Sequence, residues 1–295
     1  MHDTTPLQDR GNGTRGDHTV IDDPNHPISR RIRDVLRNRS SKPKTILIDD
    51  PENIEQAARS GVQLDSLYVT EGLPPSSIGD TLSVHGRLPV HMLSRGVVDG
   101  LFGDEKRARV FALANAPRPA RLSDLSSAQG DIVVLDGVRL MGNIGAITRT
   151  SAGFGAAGLV LLESGLRHVF DRRLIRASRG LVFTLPIVLA TPDEFADYVL
   201  GERTVVSTLT AHAIERLESA SGVQDRMAIV LGSERHGVSE KLDRLASYRY
   251  AIPMSPEIDS LNVSVAAGIA LYERNRSRTA KNMKEKSAGR SVARW

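Results

Sequence analysis

The stretch LDGVRLMGNIGAITRTSAGFGA, Leu135 to Ala156, sets a hydrophobic strand directly before a run of glycines and one arginine. DIVVLDG reads as a buried parallel-type strand, and NIGAITRTSAGFG as a helix ended by glycines. The segment that follows the strand holds Gly142, Asn143 and Gly145, with Arg149 on the opening helix. Glycines after a parallel strand let a ligand approach the backbone closely, and a helix N-terminus favours anions. The spacing matches neither G-x-G-x-x-G nor the phosphate loop with its Gly-Lys-Ser/Thr. Taken alone, the stretch is either a ligand cradle or a plain tight turn, and Arg149 either a ligand contact or a surface ion-pair partner.

Two later loops also follow apolar strands. LGSERHGVS (Leu231 to Ser239) presents Gly232, Ser233 and Glu234, and Glu234 either faces a ligand or caps the helix expected near Ser239. IPMSPEIDSLNVSVAAGIALYE (Ile252 to Glu273) offers Ser260 as an N-cap and places Asn262 in the first turn of a helix. Open α/β sheets bind ligands at the carboxyl ends of their strands, so the three loops form one cleft of Gly-rich backbone with Asn143, Arg149, Glu234, Ser260 and Asn262.

Strands and helices alternate on either side of this region. From Ile28, a helix with Ile28, Ile32, Val35 and Leu36 on one face opens a small α/β domain over 28–113. NAPRPARLSDL breaks the pattern and marks a linker over 114–124. The α/β domain over 125–278 has a mostly parallel sheet covered by helices. Polar, aperiodic residues 1–27 read as a mobile arm, and 279–295 as a basic tail.

The 295 residues are 40% apolar, enough for at least one sizeable core, and contain no cysteine. That excludes disulfides, cysteine-ligated zinc and cysteine nucleophiles, and fits a cytoplasmic protein. No apolar run is long enough to span a bilayer, and no membrane partner is expected. The histidines show no ligand spacing beside carboxylates, so no metal is expected. Net charge is +4, but basic residues bunch at Ser29–Lys44, Leu166–Gly180 and Arg274–Trp295. Three such clusters favour nucleic acid over three solvated faces.

The motifs NIGAITRT, LGSERHGVS and IPMSPEIDSLNVSVAAGIAL, in this order, resemble the three signatures of the SPOUT methyltransferases. Within that class Arg149, Glu234, Ser260 and Asn262 fall on motif positions of the ribose 2′-O-methyltransferases. LFGDEKRARVFALANAPRPARLSD and FDRRLIRASRGLVFTLPIVL look like the thiostrepton- and nosiheptide-resistance rRNA methyltransferases, a likeness running from about Ile28 to Arg274. The resemblance implies a C-terminal trefoil-knotted SPOUT domain, an N-terminal domain similar to ribosomal-protein RNA binders, and a homodimer. The implied reaction is S-adenosylmethionine-dependent 2′-O-methylation of an adenosine in the GTPase-associated centre of 23S rRNA, giving thiopeptide resistance.

By the same resemblance Asn143, Arg149, Arg179, Glu234, Ser260 and Asn262 are catalytic, with Glu234 orienting an arginine. Leu231, Gly232, Ser233, Ile252, Met254 and Leu261 would line the methyl donor. Arg39, Lys42, Lys44, Phe102 and Arg107 are the expected RNA contacts. The alternatives are a housekeeping 2′-O-methyltransferase of transfer RNA or another rRNA site, and an RNA binder without catalysis.

Overall fold

Two β-sheets, one following the other along the chain, account for the alternation. The computed structural model describes residues 19–73, 88–103, 109–210, 213, 215–255, 257–258 and 260–290. The first sheet contains β1 (Val20–Ile21), β2 (Thr45–Asp49), β3 (Leu64–Thr70), β4 (Val90–Leu93) and β5 (Val110–Asn115), in the order β1-β4-β3-β5-β2. Helices α1 (Pro27–Arg37), α2 (Pro51–Arg59) and α3 (Arg95–Phe102) flank it. Pro27 opens α1, where its missing N–H costs nothing, and the His26 side chain accepts from the Ile28 N–H. Ile28, Val35 and Leu36 pack around fully buried Ile32, the helical face expected from their spacing.

The expected mobile arm is corrected in part. Residues 1–18 lie outside the described residues, but Val20 and Ile21 pair in parallel with Met92 and Leu93. Two residues give no readable alternation, so the edge strand left no periodic signal. The helix expected between β3 and β4 falls largely on 74–87, outside the described residues, as do Arg107 and the tail end 291–295.

The second sheet contains β6 (Ile132–Asp136), β7 (Gly158–Leu162), β8 (Ile187–Ala190), β9 (Val205–Leu209), β10 (Glu215–Arg216), β11 (Met227–Gly232) and β12 (Tyr248–Ala251). Its order is β10-β12-β9-β11-β6-β7-β8, and every pairing is parallel. Both faces are covered, which is why β6 and β7 are buried at every position and, but for Asp136 at the end of β6, carry no polar side chain. The helices are α4 (Leu122–Ser126), α5 (Met141–Gly153), α6 (Arg172–Ala177), α7 (Pro192–Glu202), α8 (Glu240–Asp243) and α9 (Val263–Arg290). Short α4 begins in the last residues of the expected linker and runs past its end. Its Leu125 is fully buried against the second sheet, and Asp124 caps its start. Before Ile252 and Pro253 the twelfth strand ends, three residues earlier than the run YAIPM suggests, because proline offers no ladder N–H.

Strand order reverses at β6 and β11. From β6 the chain moves outward through β7 and β8, then crosses to β9, β11 and β12 on the other side. The loops after β6 and β11 therefore emerge side by side, the position at which open α/β sheets hold ligands. Behind them α5 is wedged between α6 and α9. A Cβ on Gly145 would lie 2.4 Å from the Ala177 Cβ, so only glycine permits that approach. The last helix is anchored by Arg274, 3% exposed, which donates to both Asp131 oxygens at 2.9 Å and to the carbonyls of Ala220, Val223 and Asp225.

The two sheets are not independent bodies. One hydrophobic cluster joins Ile46 and Ile48 of β2 and Ile54 of α2 to Leu174 of α6 and to Val182 and Leu185 just after it.

Candidate active site

Aspartate 136 ends β6, and its Oδ2 accepts from the Ser239 N–H at 2.7 Å, tying the loop after β11 to the neighbouring strand. That loop closes on itself: Gly237 N–H donates to the Ser233 carbonyl at 2.9 Å, with Gly237 at φ +66°. Gly232 cannot be larger, because a Cβ there would fall 1.9 Å from the Gly237 carbonyl carbon. The turn is thus folded tightly under its own backbone.

Three polar side chains from three loops meet above it. The Asn143 amide donates to Glu234 Oε1 at 3.0 Å; the Asn262 amide lies 3.2 Å from the same oxygen and 3.2 Å from Asn143 Oδ1. The distal Asn262 oxygen accepts from the Ser264 N–H at 2.9 Å and its hydroxyl at 2.6 Å. Asn262, not Ser260, caps α9, which begins at Val263, correcting the expected N-cap. The cap also points the amide back at Glu234. Within one chain Glu234 holds two asparagines rather than an arginine, and it does not cap α8.

Beside this knot of hydrogen bonds runs a cleft of about 390 Å³. Leu231, Gly232, Ser233, Ile252, Met254, Ser260 and Leu261 line it, all residues singled out in the sequence. Leu209, Thr210, His236, Val238, Val263 and Ala266 also line it. Leu209 and Thr210 end a strand of the same sheet, and the strand-end rule would have found them. A second cleft of about 680 Å³ shares the wall formed by Ser233, Glu234, His236 and Val263, and adds Asn143, Leu140 and Arg139.

Arginines 149 and 179 stand apart from both clefts. Arg149 is exposed on α5, and Arg179 is exposed just past α6 with φ +54°. Neither makes an ion pair with a described residue.

The expected RNA contacts divide. Arg39, Lys42 and Lys44 are exposed, and the Arg39 carbonyl accepts from Arg167. Phe102 is 4% exposed, stacked edge-on to Phe111 and covered by the Arg172 guanidinium at 4.4 Å, so it is a core residue and not a stacking platform. The Leu166–Gly180 cluster also changes meaning. Arg172 and Arg176 bind buried Asp49, and exposed Arg173 pairs with Asp171, so three of the five arginines are matched to carboxylates. Among the described residues no group of His, Asp and Glu could hold a metal ion, and no helix is long and apolar enough to cross a membrane.

Residues 131–272 match the SpoU rRNA methylase family, and residues 18–128 match the N terminus of the thiostrepton-resistance methylases. A Streptomyces laurentii 23S rRNA (adenosine(1067)-2′-O)-methyltransferase is 44% identical over 87% of this chain and 95% of its own. The chain belongs to the SpoU rRNA methylases.

A protein of the same name from Streptomyces azureus is 40% identical over 86% of this chain and 95% of its own. Among solved structures, an RNA 2′-O ribose methyltransferase superposes with TM-score 0.73 at 28% identity, covering 88% of this chain and 100% of that one. An AdoMet-bound rRNA methyltransferase from Sinorhizobium meliloti, at 23% identity and TM-score 0.72, shares the fold over 88% of this chain and 98% of its own. SpoU family membership covers the second sheet with all three loops of the site, and the thiostrepton-resistance match covers the first sheet.

Proposed function

We propose that this SpoU methylase transfers a methyl group from S-adenosylmethionine to the ribose 2′-hydroxyl of an adenosine in the GTPase-associated centre of 23S rRNA. Modification there prevents thiopeptide binding. The observation that carries the chemistry is the Asn143–Glu234–Asn262 junction, which fixes three strand-end loops around a backbone-lined cleft. The cleft fits the donor: apolar Leu209, Val263 and Ala266 suit an adenine, and Gly232 contributes to its wall beside them. The substrate rests on the two Streptomyces relatives, each matched over 95% of its length.

When bound, the donor supplies an electrophilic methyl on sulfur. The chain's own task is to place a poor nucleophile in line with that methyl and to ease loss of its proton. The Asn143 and Asn262 amides hold the donor-side loops, with Glu234 as their shared acceptor. Arg149 remains a cation, because a guanidinium does not deprotonate in proteins. It acts by fixing a phosphate or lowering the hydroxyl pKa electrostatically, and Arg179 gives a second phosphate or ribose contact. Exposed Arg39, Lys42 and Lys44 attract the rRNA backbone.

The reading includes a trefoil threading of the C-terminal chain, a homodimer and a cytoplasmic location. An apolar face on α9 supports the dimer: Val265 and Tyr272, two turns apart, are 51% and 54% exposed. Incubation with labelled donor and either 23S rRNA or bulk transfer RNA tests the substrate. Label in 23S rRNA alone is expected; label in transfer RNA alone would replace this reading with the housekeeping one.

A further inference from the structure

Where the two sheets meet, a carboxylate of the first holds two arginines of the second. Asp49 ends β2 and is 1% exposed. Its Oδ2 accepts from Arg172 Nε at 2.5 Å and from Arg176, and Asp50, at φ +64°, lies 3.9 Å from the latter guanidinium. Arg172 and Arg176 are one turn apart and so share a face of α6. The Arg172 guanidinium also covers Phe102 of α3.

The far end of α6 is gripped as well. Ala177 packs against Gly145 of α5, the helix that carries Arg149. Gly180 N–H returns to the Ile175 carbonyl at 2.9 Å, and a Cβ on Gly180 would lie 2.9 Å from the Gln56 Cβ of α2. Between these fixed points stands Arg179, exposed and in the left-handed region. A non-glycine residue keeps that conformation only when its surroundings impose it.

We infer that Asp49 is a positioning residue for methyl transfer: by holding Arg172 and Arg176 it fixes α6 and the turn that presents Arg179 to the RNA. This rests on the reading of Arg179 as a substrate contact. The N-terminal sheet then does more than collect rRNA, because its docking sets the geometry of a residue on the catalytic half.

The test is a mutant cycle on the full-length protein, with Asp49→Asn, Arg179→Ala and both together. Methyl transfer to a 23S rRNA fragment gives kcat and KM, and calorimetry gives donor affinity. Arg179→Ala and Asp49→Asn each lower kcat about tenfold or more, while donor affinity stays within about twofold. Because Asp49 acts through Arg179, the double variant is no slower than Arg179→Ala alone, to within about twofold. Losses that multiply would overturn the inference, since a purely structural Asp49 slows both backgrounds equally. Wild-type kcat in Asp49→Asn would overturn it too. Wild-type kcat in the Arg179→Ala single variant would remove the Arg179 reading itself, and the inference with it. If Asp49→Asn does not fold, Arg176→Gln replaces it in the same cycle, since that side chain lies at the rim and is 24% exposed.

Discussion

Replacing Gly232 by alanine puts one methyl group where the site has no room. A Cβ at 232 would sit 1.9 Å from the Gly237 carbonyl carbon, 2.1 Å from its oxygen and 2.2 Å from the Val238 nitrogen. All three are backbone atoms, so no side chain can swing aside. Ordinary contact between such atoms begins near 3.4 Å, so the loop from Ser233 to Val238 must retreat by about 1.5 Å. That movement breaks the Gly237-to-Ser233 hydrogen bond and shifts Glu234 away from Asn143 and Asn262. Two of the hydrogen bonds lost are to the Glu234 carboxylate, each worth about 1–1.5 kcal/mol, so donor affinity should fall by about 2–3 kcal/mol, roughly 30- to 150-fold. The rest of β11 stays buried, and the protein should remain folded. Isothermal titration with S-adenosylmethionine measures the loss. Gly142→Ala is the control, because a Cβ there meets nothing within 4 Å. Donor binding by Gly232→Ala at wild-type strength, or an equal loss in Gly142→Ala, would refute this account of the cleft.

Arg149→Ala should abolish methyl transfer and leave donor affinity within about twofold, because Arg149 lines neither cleft; wild-type turnover would remove it from the mechanism. Asp131→Asn leaves the buried Arg274 guanidinium without its carboxylate and should cost about 3–5 kcal/mol in a denaturant melt, whereas less than about 1 kcal/mol would mean that water reaches the pair. Burial pushes the His168 imidazole below its ordinary value, against the opposing pull of Asp171. The unfolded chain therefore takes up that proton first as pH falls. The stability that neutral His168 contributes is complete above about pH 6.5 and is lost as pH falls through the lower folded value. Denaturant midpoints should decline over that window in the wild type and less in His168→Gln; equal declines would contradict it. Neutralising Arg39, Lys42 and Lys44 together should reduce the slope of log affinity for rRNA against log salt by about 2–3, and an unchanged slope would exclude them from the interface.

How much of this was legible depends on the range of the interaction. Uninterrupted apolar runs such as IVVL and LVLL announced buried parallel strands, and three polar loops directly after such strands pointed to a single cleft. The junction of Asn143, Glu234 and Asn262 spans 119 residues, yet it was readable because strand ends in a parallel sheet must converge. Pairing between arginines and carboxylates was not. Asp131 and Arg274 are 143 positions apart, and Asp49 and Arg172 are 123, with no periodicity to link either pair. The Leu166–Gly180 arginines therefore looked like a nucleic-acid surface when three of them satisfy carboxylates. Phe102 misled for a related reason, since basic Lys106, Arg107 and Arg109 follow it in the sequence while its neighbours in space are Phe111 and Arg172. The cap of α9 was misplaced by two residues because serine and asparagine are near-equal caps, and only in the structure does the Asn262 side chain take the Ser264 N–H and reach Glu234.

The most direct test is to treat unmodified bacterial 23S rRNA with the protein and labelled S-adenosylmethionine, then digest it and map the label by mass spectrometry. The account predicts one 2′-O-methyladenosine, within the GTPase-associated centre, and none with Arg149→Ala. A methyl group on a base rather than a ribose, or no modified nucleotide despite measurable donor binding, would contradict it.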